Sequence, residues 1–284
     1  MLRKTIKLKL RELFNEWVES IDDPLIRDRV RKNTIITGGS IASMLSGEPV
    51  NDYDLYFRDR TTVELIVDYY LEKFKATYGS YDMKKIIEED RVKIYIPSVG
   101  QAGDAPENED EEYTGEELEE FDPNAEAEPK PKFRPVFVTA NAITLSDKVQ
   151  LVIRFYGEPG EIHENYDFIH CTGYWTSWDD VVVLNEAMLE SLITRELRYV
   201  GSLYPLCSII RTRKFVKRGW KINAGQYLKM CMQLNELDLT DLEVLEDQLT
   251  GVDAAYFMQV INAVKEGGRD INAAYLCTII DRIF

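Results

Sequence analysis

The sequence predicts an α/β (α+β) protein in which a mixed sheet with helices is followed by a helical C-terminal domain. Residues 34–36 form a short β-branched run that is typical of a buried strand, and this run ends just before a pair of glycines. Residues 51–57 (Asn-Asp-Tyr-Asp-Leu-Tyr-Phe) are rich in aromatics and alternate with the period of a strand. After residue 184, strand signals fade and helical periodicity dominates. The α/β part is therefore expected to precede the helical part.

Further elements follow from the same periodicities, and they divide the chain into three parts. Residues 1–32 are predicted to be a helical extension, residues 33–183 the α/β domain and residues 184–284 the helical domain. Beyond the two strands above, the patterns predict helices over 4–20, 62–78, 185–194, 224–233, 254–265 and 273–283, and strands over 91–96 and 149–155.

The segment Gly38, Gly39 and Ser40, here called the phosphate turn, has the composition of an anion-binding site. Glycines let a backbone approach a phosphate closely. A helix is predicted to begin near Ser40, and the free N–H groups of a helix N-terminus attract anions. Ser40 adds a hydroxyl. The phosphate turn is therefore predicted to bind a triphosphate.

Asp52 and Asp54, here called the aspartate pair, lie two residues apart in the predicted strand over 51–57. Alternation along a strand brings both carboxylates to one face. Magnesium favours oxygen ligands and commonly combines one or two carboxylates with substrate phosphates. The aspartate pair is therefore predicted to bind Mg²⁺, with Mn²⁺ as the alternative.

The order of these motifs resembles the signature of the DNA polymerase β-like nucleotidyltransferase superfamily. More narrowly, the chain resembles nucleotidyltransferase-like proteins of large tailed bacteriophages. The strings that carry the narrower resemblance are Gly38–Ser40, 51–57, 149–152, 166–168 and 211–215. The resemblance implies a polymerase β-like core in which the phosphate turn holds the triphosphate and the aspartate pair binds metal.

The superfamily also uses a third carboxylate on a later strand, and Asp167 is our candidate for this metal-binding and catalytic role. Asp167 lies between aromatic and aliphatic neighbours in a segment that looks buried. A buried acid needs a partner. The alternative for Asp167 is a helix cap or a paired structural acid.

The resemblance implies an enzyme that transfers a nucleoside monophosphate from a nucleoside triphosphate to an acceptor hydroxyl. The motifs do not identify the acceptor, which is an RNA end, a protein hydroxyl or a small molecule. The alternative is a non-catalytic protein of the same fold that serves as a structural or adaptor module, for example in a phage particle. Fold alone does not decide between them.

The formal net charge of −16 is concentrated in one stretch, here called the acidic insertion, residues 101–131. Residues 101–129 contain thirteen acids and no Lys or Arg. Such a composition is typical of a disordered or weakly ordered segment. We expect the acidic insertion to dock on a basic partner or on the protein's own basic segment.

Residues 197–221, here called the basic segment, carry seven Lys or Arg residues and no acid. Arg211, Arg213, Lys214 and Arg218 are our candidates for contacts with the nucleotide or with an RNA end. The interleaved aromatics Tyr199, Tyr204, Phe215 and Trp220 suit stacking on bases. Alternatively, they form the inward face of helices.

Several function classes lack support in the sequence. No 18-residue apolar run and no signal peptide is present, so we expect no membrane association and a location in the cytoplasm. If the protein is encoded by a phage, the expected location is the host cytoplasm or the virion. No P-loop, Rossmann fingerprint or Gly-x-Ser-x-Gly elbow occurs. Nucleotidyl transfer is the activity that the motifs favour.

Overall fold

A computed structural model describes residues 1–79, 83–87, 91–96, 101–103, 131–249, 255–267 and 271–283. The chain divides into two units. The first unit comprises Met1–Ile162 and Cys171–Asn185, and the second comprises His163–His170 and Glu186–Phe284. The segment His163–His170, which the sequence analysis assigned to the α/β domain, thus belongs to the second unit.

The first unit contains most of the strands and the N-terminal helices. In chain order its elements are α1 Arg3–Glu19, α2 Pro24–Asn33, β1 Thr34–Thr37, α3 Gly39–Ser46, β2 Tyr53–Phe57, α4 Arg60–Tyr78, β3 Lys84–Ile87, β4 Val92–Tyr95, β5 Gln101–Gly103, β6 Pro135–Thr139, β7 Ala142–Leu145, β8 Val149–Tyr156, α5 Pro159–His163, which ends one residue into the second unit, β9 Tyr174–Thr176 and β10 Val181–Val183. The predicted helices over 4–20 and 62–78 and all four predicted strands are confirmed.

Eight of these strands form one mixed sheet in the order β10-β9-β1-β2-β8-β7-β6-β5, and β3 and β4 form a separate two-stranded sheet. The pair β2–β8 is parallel, whereas the other pairs among the described strands are antiparallel. The predicted α/β architecture with a mixed sheet is therefore confirmed.

One face of the sheet packs against helices through large aromatic side chains. In α1, apolar residues recur at helical spacing, and the buried ones include Phe14 and Trp17. The ring centroid of Phe14 lies 5.1 Å from that of Trp175, and the centroid of Trp17 lies 6.5 Å from that of Phe57. Trp17 Nε1 also donates a hydrogen bond of 2.8 Å to the Tyr70 hydroxyl on α4. Helix α1 is therefore part of the core of this unit.

The acidic insertion is described only at its two ends. Gln101–Gly103 form β5 and pair with β6. The first three residues of the acidic insertion are therefore part of the sheet. Residues 104–130 lie outside the described residues, and the expected docking of the acidic insertion stays a prediction.

The second unit is predominantly helical, as predicted. Its helices are α6 Glu186–Thr194, α7 Pro205–Lys217, α8 Ala224–Leu234, α9 Leu242–Leu249, α10 Ala255–Gly267 and α11 Ala273–Ile283. The four predicted helices correspond to α6, α8, α10 and α11, whereas α7 and α9 were not predicted. In the described part of the chain, no helix combines the length and the apolar composition needed to cross a membrane.

Candidate active site

The phosphate turn connects β1 to α3 in the first unit, as the sequence predicted. Gly38 has a φ of 92° and a ψ of −153°, a conformation that side-chain-bearing residues rarely adopt. Its N–H donates a hydrogen bond of 3.2 Å to the Cys171 carbonyl oxygen. The Thr37 hydroxyl just before it donates to the Gly173 carbonyl oxygen at 2.8 Å. The shape of this turn therefore depends on the segment that leads into β9.

The start of α3 has room for a ligand. Gly39 is exposed, and a Cβ atom built on it would meet no heavy atom within 4 Å. The capping position is Gly38, which has no side chain to satisfy the free N–H groups of the first turn. The partial positive charge of the helix N-terminus is therefore directed at an open space, which favours an anion.

Ser40 provides the sharpest sign of a missing ligand. The residue is 2% exposed, and its Oγ has no hydrogen-bond partner among the described residues. Leaving a buried hydroxyl unsatisfied costs about 1–3 kcal/mol. A phosphate oxygen at the start of α3 would satisfy both this hydroxyl and the free N–H groups. The buried hydroxyl and the open space at Gly39 therefore fit a bound phosphate.

The aspartate pair lies beside the phosphate turn because β1 and β2 are neighbours. Asp54 is the register partner of Thr37, and Asp52 precedes β2 by one residue. Side chains two residues apart in an extended chain lie on the same face. Both aspartates are half-buried. They therefore share the face that carries Thr37, opposite the face covered by α1.

The donor atoms of the aspartate pair fit a magnesium ion that also binds phosphates. Carboxylate oxygens are the ligands that Mg²⁺ prefers, and it often takes only one or two of them together with substrate phosphates. Within the described ranges, no group of three or more His, Cys, Asp or Glu residues is arranged to hold a metal. Two carboxylates are a donor set that fits Mg²⁺ together with water and substrate phosphates.

Asp167 lies in the second unit and has two side-chain partners there. Its carboxylate forms an ion pair with Arg211 and accepts a hydrogen bond of 2.6 Å from Ser208 Oγ. Asp167 is 7% exposed, and its backbone oxygen accepts from the Val200 N–H. These contacts are those of a paired structural acid, which was the alternative interpretation of Asp167. The role of Asp167 as a third metal ligand stays a prediction.

Of the four candidate cations, Arg211, Arg213 and Lys214 lie on α7 and Arg218 is its C-cap residue. At 3.6 residues per turn, Arg211, Lys214 and Arg218 align on one face, while Arg213 lies on the other. Arg213 and Arg218 are exposed and Lys214 is half-buried, whereas Arg211 binds Asp167. The structure therefore brings Arg211 together with Asp167 and displays Arg213 and Arg218 at the surface of the second unit.

The proposal that the aromatics of the basic segment stack on bases is wrong for three of the four. Tyr199, Tyr204 and Trp220 are buried. Tyr199 and Trp220 pack with Phe168, Leu197 and Met230, and the partly buried Phe215 packs against the same cluster. These aromatics face the core, as the alternative interpretation held, but only Phe215 lies on a helix.

His170 lies inside this aromatic cluster. Its ring centroid is 4.2 Å from that of Trp220 and 4.7 Å from that of Phe215. Burial lowers the pKa of His170 to about 3, although the negative charge of Asp167 acts in the opposite direction. Burial likewise lowers the pKa of His163 to about 4. Both histidines are therefore neutral at pH 7.

One residue near the aspartate pair escaped the sequence analysis. Gln150 on β8 is the register partner of Asp54 on the side away from β1. The strand over 149–155 was predicted, but nothing in its local pattern identifies β2 as its neighbour. Gln150 lies beside Asp54 only because β8 pairs with β2 in this register.

Comparisons with known proteins relate the chain to phage proteins and to transferases. A family model described as "Gabija anti-defense 2 family protein" matches residues 8–195. The curated protein "Gabija anti-defense 2" of Bacillus phage SPbetaL7 is 19% identical over 241 residues, which cover 84% of this chain and 46% of that protein. The chain thus spans about half the length of this relative.

Among solved structures, the chain is similar to CCA-adding enzymes. The Thermotoga maritima enzyme complexed with tRNA matches with a TM-score of 0.41 and 11% identity, covering 95% of this chain and 53% of that one. The Bacillus stearothermophilus enzyme in complex with CTP matches with a TM-score of 0.39 and 11% identity, covering 88% and 52%. Because these scores lie below 0.5, we infer function from the residues of the site instead.

Proposed function

The chain belongs to the Gabija anti-defense 2 family, and from this premise we propose that it is a metal-dependent nucleotidyltransferase through which a phage counters a host defence. The donor is a nucleoside triphosphate, and the acceptor is a hydroxyl group, with an RNA end as the first candidate. The observation that supports this proposal most strongly is the unsatisfied, buried Ser40 hydroxyl, three residues after Thr37, which is the register partner of Asp54.

The phosphate turn has the role of holding the β- and γ-phosphates. Ser40 Oγ donates to a phosphate oxygen, and the first N–H groups of α3 bind the same anion. Gly38 provides the backbone conformation, and Gly39 leaves the space in which the phosphate lies. These contacts fix the donor with its α-phosphorus toward the acceptor.

Asp52 and Asp54 have the role of holding Mg²⁺ or Mn²⁺. When bound, the ion neutralises charge on the phosphates and makes the acceptor hydroxyl easier to deprotonate. The acceptor oxygen would then bond to the α-phosphorus while its proton passes to solvent water. The bond between that phosphorus and the oxygen that bridges to the β-phosphorus would break, and pyrophosphate would leave.

The basic segment is the proposed contact for the nucleic-acid acceptor. Its seven cations and lack of acids set it apart from a chain whose formal net charge is −16. Arg213, Lys214 and Arg218 are the proposed phosphate contacts, while Arg211 acts mainly through its ion pair with Asp167. Because three of the four aromatics are buried, we expect this contact to depend on charge and to weaken with salt.

The activity is tested by label transfer from each of four α-labelled ribonucleoside triphosphates, with Mg²⁺ or Mn²⁺, onto host RNA and host protein. We expect label in one acceptor class, and its loss in the Asp52→Asn/Asp54→Asn variant. Unchanged circular dichroism would show that this variant folds. Label that persists in the variant would refute the assignment of the aspartate pair.

A second candidate function is a non-catalytic binding protein, and exposed apolar residues favour it. On α8, Leu228 is 61% exposed and Met232 is 64% exposed, one helical turn apart. Such a stripe is common where a partner protein binds. Phage plating on a host that carries the Gabija defence separates the two candidates. Protection retained by Asp52→Asn/Asp54→Asn but lost in Leu228→Asp would favour the binding protein.

A further inference from the structure

The neighbours of Asp54 on its own face are a threonine and a glutamine. Residues in register on adjacent strands direct their side chains to the same face of a sheet. Asp54 pairs with Thr37 of β1 on one side and with Gln150 of β8 on the other. Gln150 is half-buried, as the aspartates are. Its amide therefore lies next to the carboxylate of Asp54.

The side chains of β8 that share a face with Gln150 include no Asp or Glu. The alternate positions after it are Val152 and Arg154. Within the described residues, no three metal-binding side chains cluster, and Asp167 has Arg211 as its partner in the second unit. The strand beside the aspartate pair therefore contributes an uncharged amide where a third carboxylate could stand.

An amide and a carboxylate have the same shape but differ in charge. A carboxylate attracts a divalent cation through a full negative charge, whereas an amide oxygen offers only a dipole. Two carboxylates and several waters hold Mg²⁺ weakly, because this ion usually needs substrate phosphates to complete its ligands. The nucleotide's phosphates supply the charge that Gln150 lacks.

We propose that Gln150 holds the place of a third metal carboxylate, so that the site binds a divalent ion tightly only together with a nucleoside triphosphate. This inference rests on the proposed function. Its consequence is that the donor enters as a metal–nucleotide complex. Gln150 acts as a positioning residue, which determines when the ion is retained.

The test measures binding of Mn²⁺ to the full chain from the electron paramagnetic resonance signal of free Mn²⁺. Titrations of the protein are made without nucleotide and with a non-hydrolysable triphosphate analogue, and the Mn²⁺ bound by the same concentration of analogue without protein is subtracted. We expect the natural sequence to bind Mn²⁺ at least tenfold more tightly with the analogue. We expect Gln150→Glu to bind Mn²⁺ at least tenfold more tightly than the natural sequence when no nucleotide is present.

The matched control is Thr61→Glu, which adds the same charge at an exposed position in the first turn of α4, beyond the other end of β2. Tight nucleotide-free binding by the natural sequence would overturn the inference. Equal nucleotide-free affinities of Gln150→Glu and the control would also overturn it. Nucleotide-dependent Mn²⁺ binding without label transfer would remove the proposed activity and leave the inference standing.

Discussion

Replacing Ser40 with alanine should weaken nucleotide binding without destabilising the protein. In the structure, Ser40 Oγ is buried and has no partner among the described residues. Removing such a group relieves a desolvation cost of about 1–3 kcal/mol, against which the loss of a small polar atom from the packing is minor. We therefore expect the free energy of unfolding to stay the same or to rise by about 1 kcal/mol.

The same substitution removes a hydrogen bond to a charged phosphate in the bound state. Such bonds contribute about 1.5–3 kcal/mol, so the affinity for a triphosphate should fall by roughly 10- to 150-fold. Calorimetric titration with a non-hydrolysable triphosphate and Mg²⁺ measures this change, and urea unfolding measures stability. The opposite signs of the two effects distinguish a ligand-binding hydroxyl from a structural one.

Ser46→Ala is the matched control, because Ser46 is exposed at the end of the same helix. It should change neither quantity by more than about 0.5 kcal/mol. If Ser40→Ala lowered stability by more than 1 kcal/mol and left nucleotide affinity intact, the hydroxyl would have a structural role. The assignment of the phosphate turn would then be refuted.

Four other substitutions test the remaining parts of the description. Gly38→Ala should lower the free energy of unfolding by roughly 1–3 kcal/mol, because Gly38 has a positive φ. Gly39→Ala should leave the urea midpoint nearly unchanged, because the space around Gly39 is open, but it should reduce the affinity for a triphosphate. Asp167→Ala should cost about 2 kcal/mol in the same assay, because it leaves the quarter-exposed Arg211 without its carboxylate; an unchanged midpoint would show that the pair is not structural. The pKa of His170 falls from about 6.5 to about 3 on folding, so the contribution of neutral His170 to the free energy of unfolding is complete above pH 6.5 and is lost as the pH falls toward 3. His170→Phe should therefore flatten the decline of the urea midpoint between pH 7 and pH 4. An equally steep decline in the variant would contradict the lowered pKa of His170.

The sequence predicted local features of the site well because each depends on neighbours in the chain. Period-two alternation over 51–57 was enough to bring Asp52 and Asp54 to one face. The glycines before Ser40 were enough to predict a strand, a turn and a helix. Predicting these features does not require knowing which strands pair in the sheet.

The features that the sequence did not reveal depend on distant contacts. The pairing of Asp54 with Gln150 joins residues almost a hundred positions apart, and no periodicity records it. The apolar neighbours of Asp167 in the sequence indicated a buried acid, but its partner Arg211 lies on a helix that was not predicted. The basic segment suggested stacking because its sequence does not show that Tyr199 and Trp220 are buried by packing with residues such as Met230.

The hydrogen bonds that hold the phosphate turn bear on how the protein is made. Gly38 and Thr37 bond to Cys171 and Gly173, which the ribosome adds more than 130 residues later. Chains fold progressively during synthesis, yet this turn can reach its final shape only after the segment leading into β9 has emerged. A nascent chain that is released or cut before that point carries the residues for binding a triphosphate without the geometry to do so.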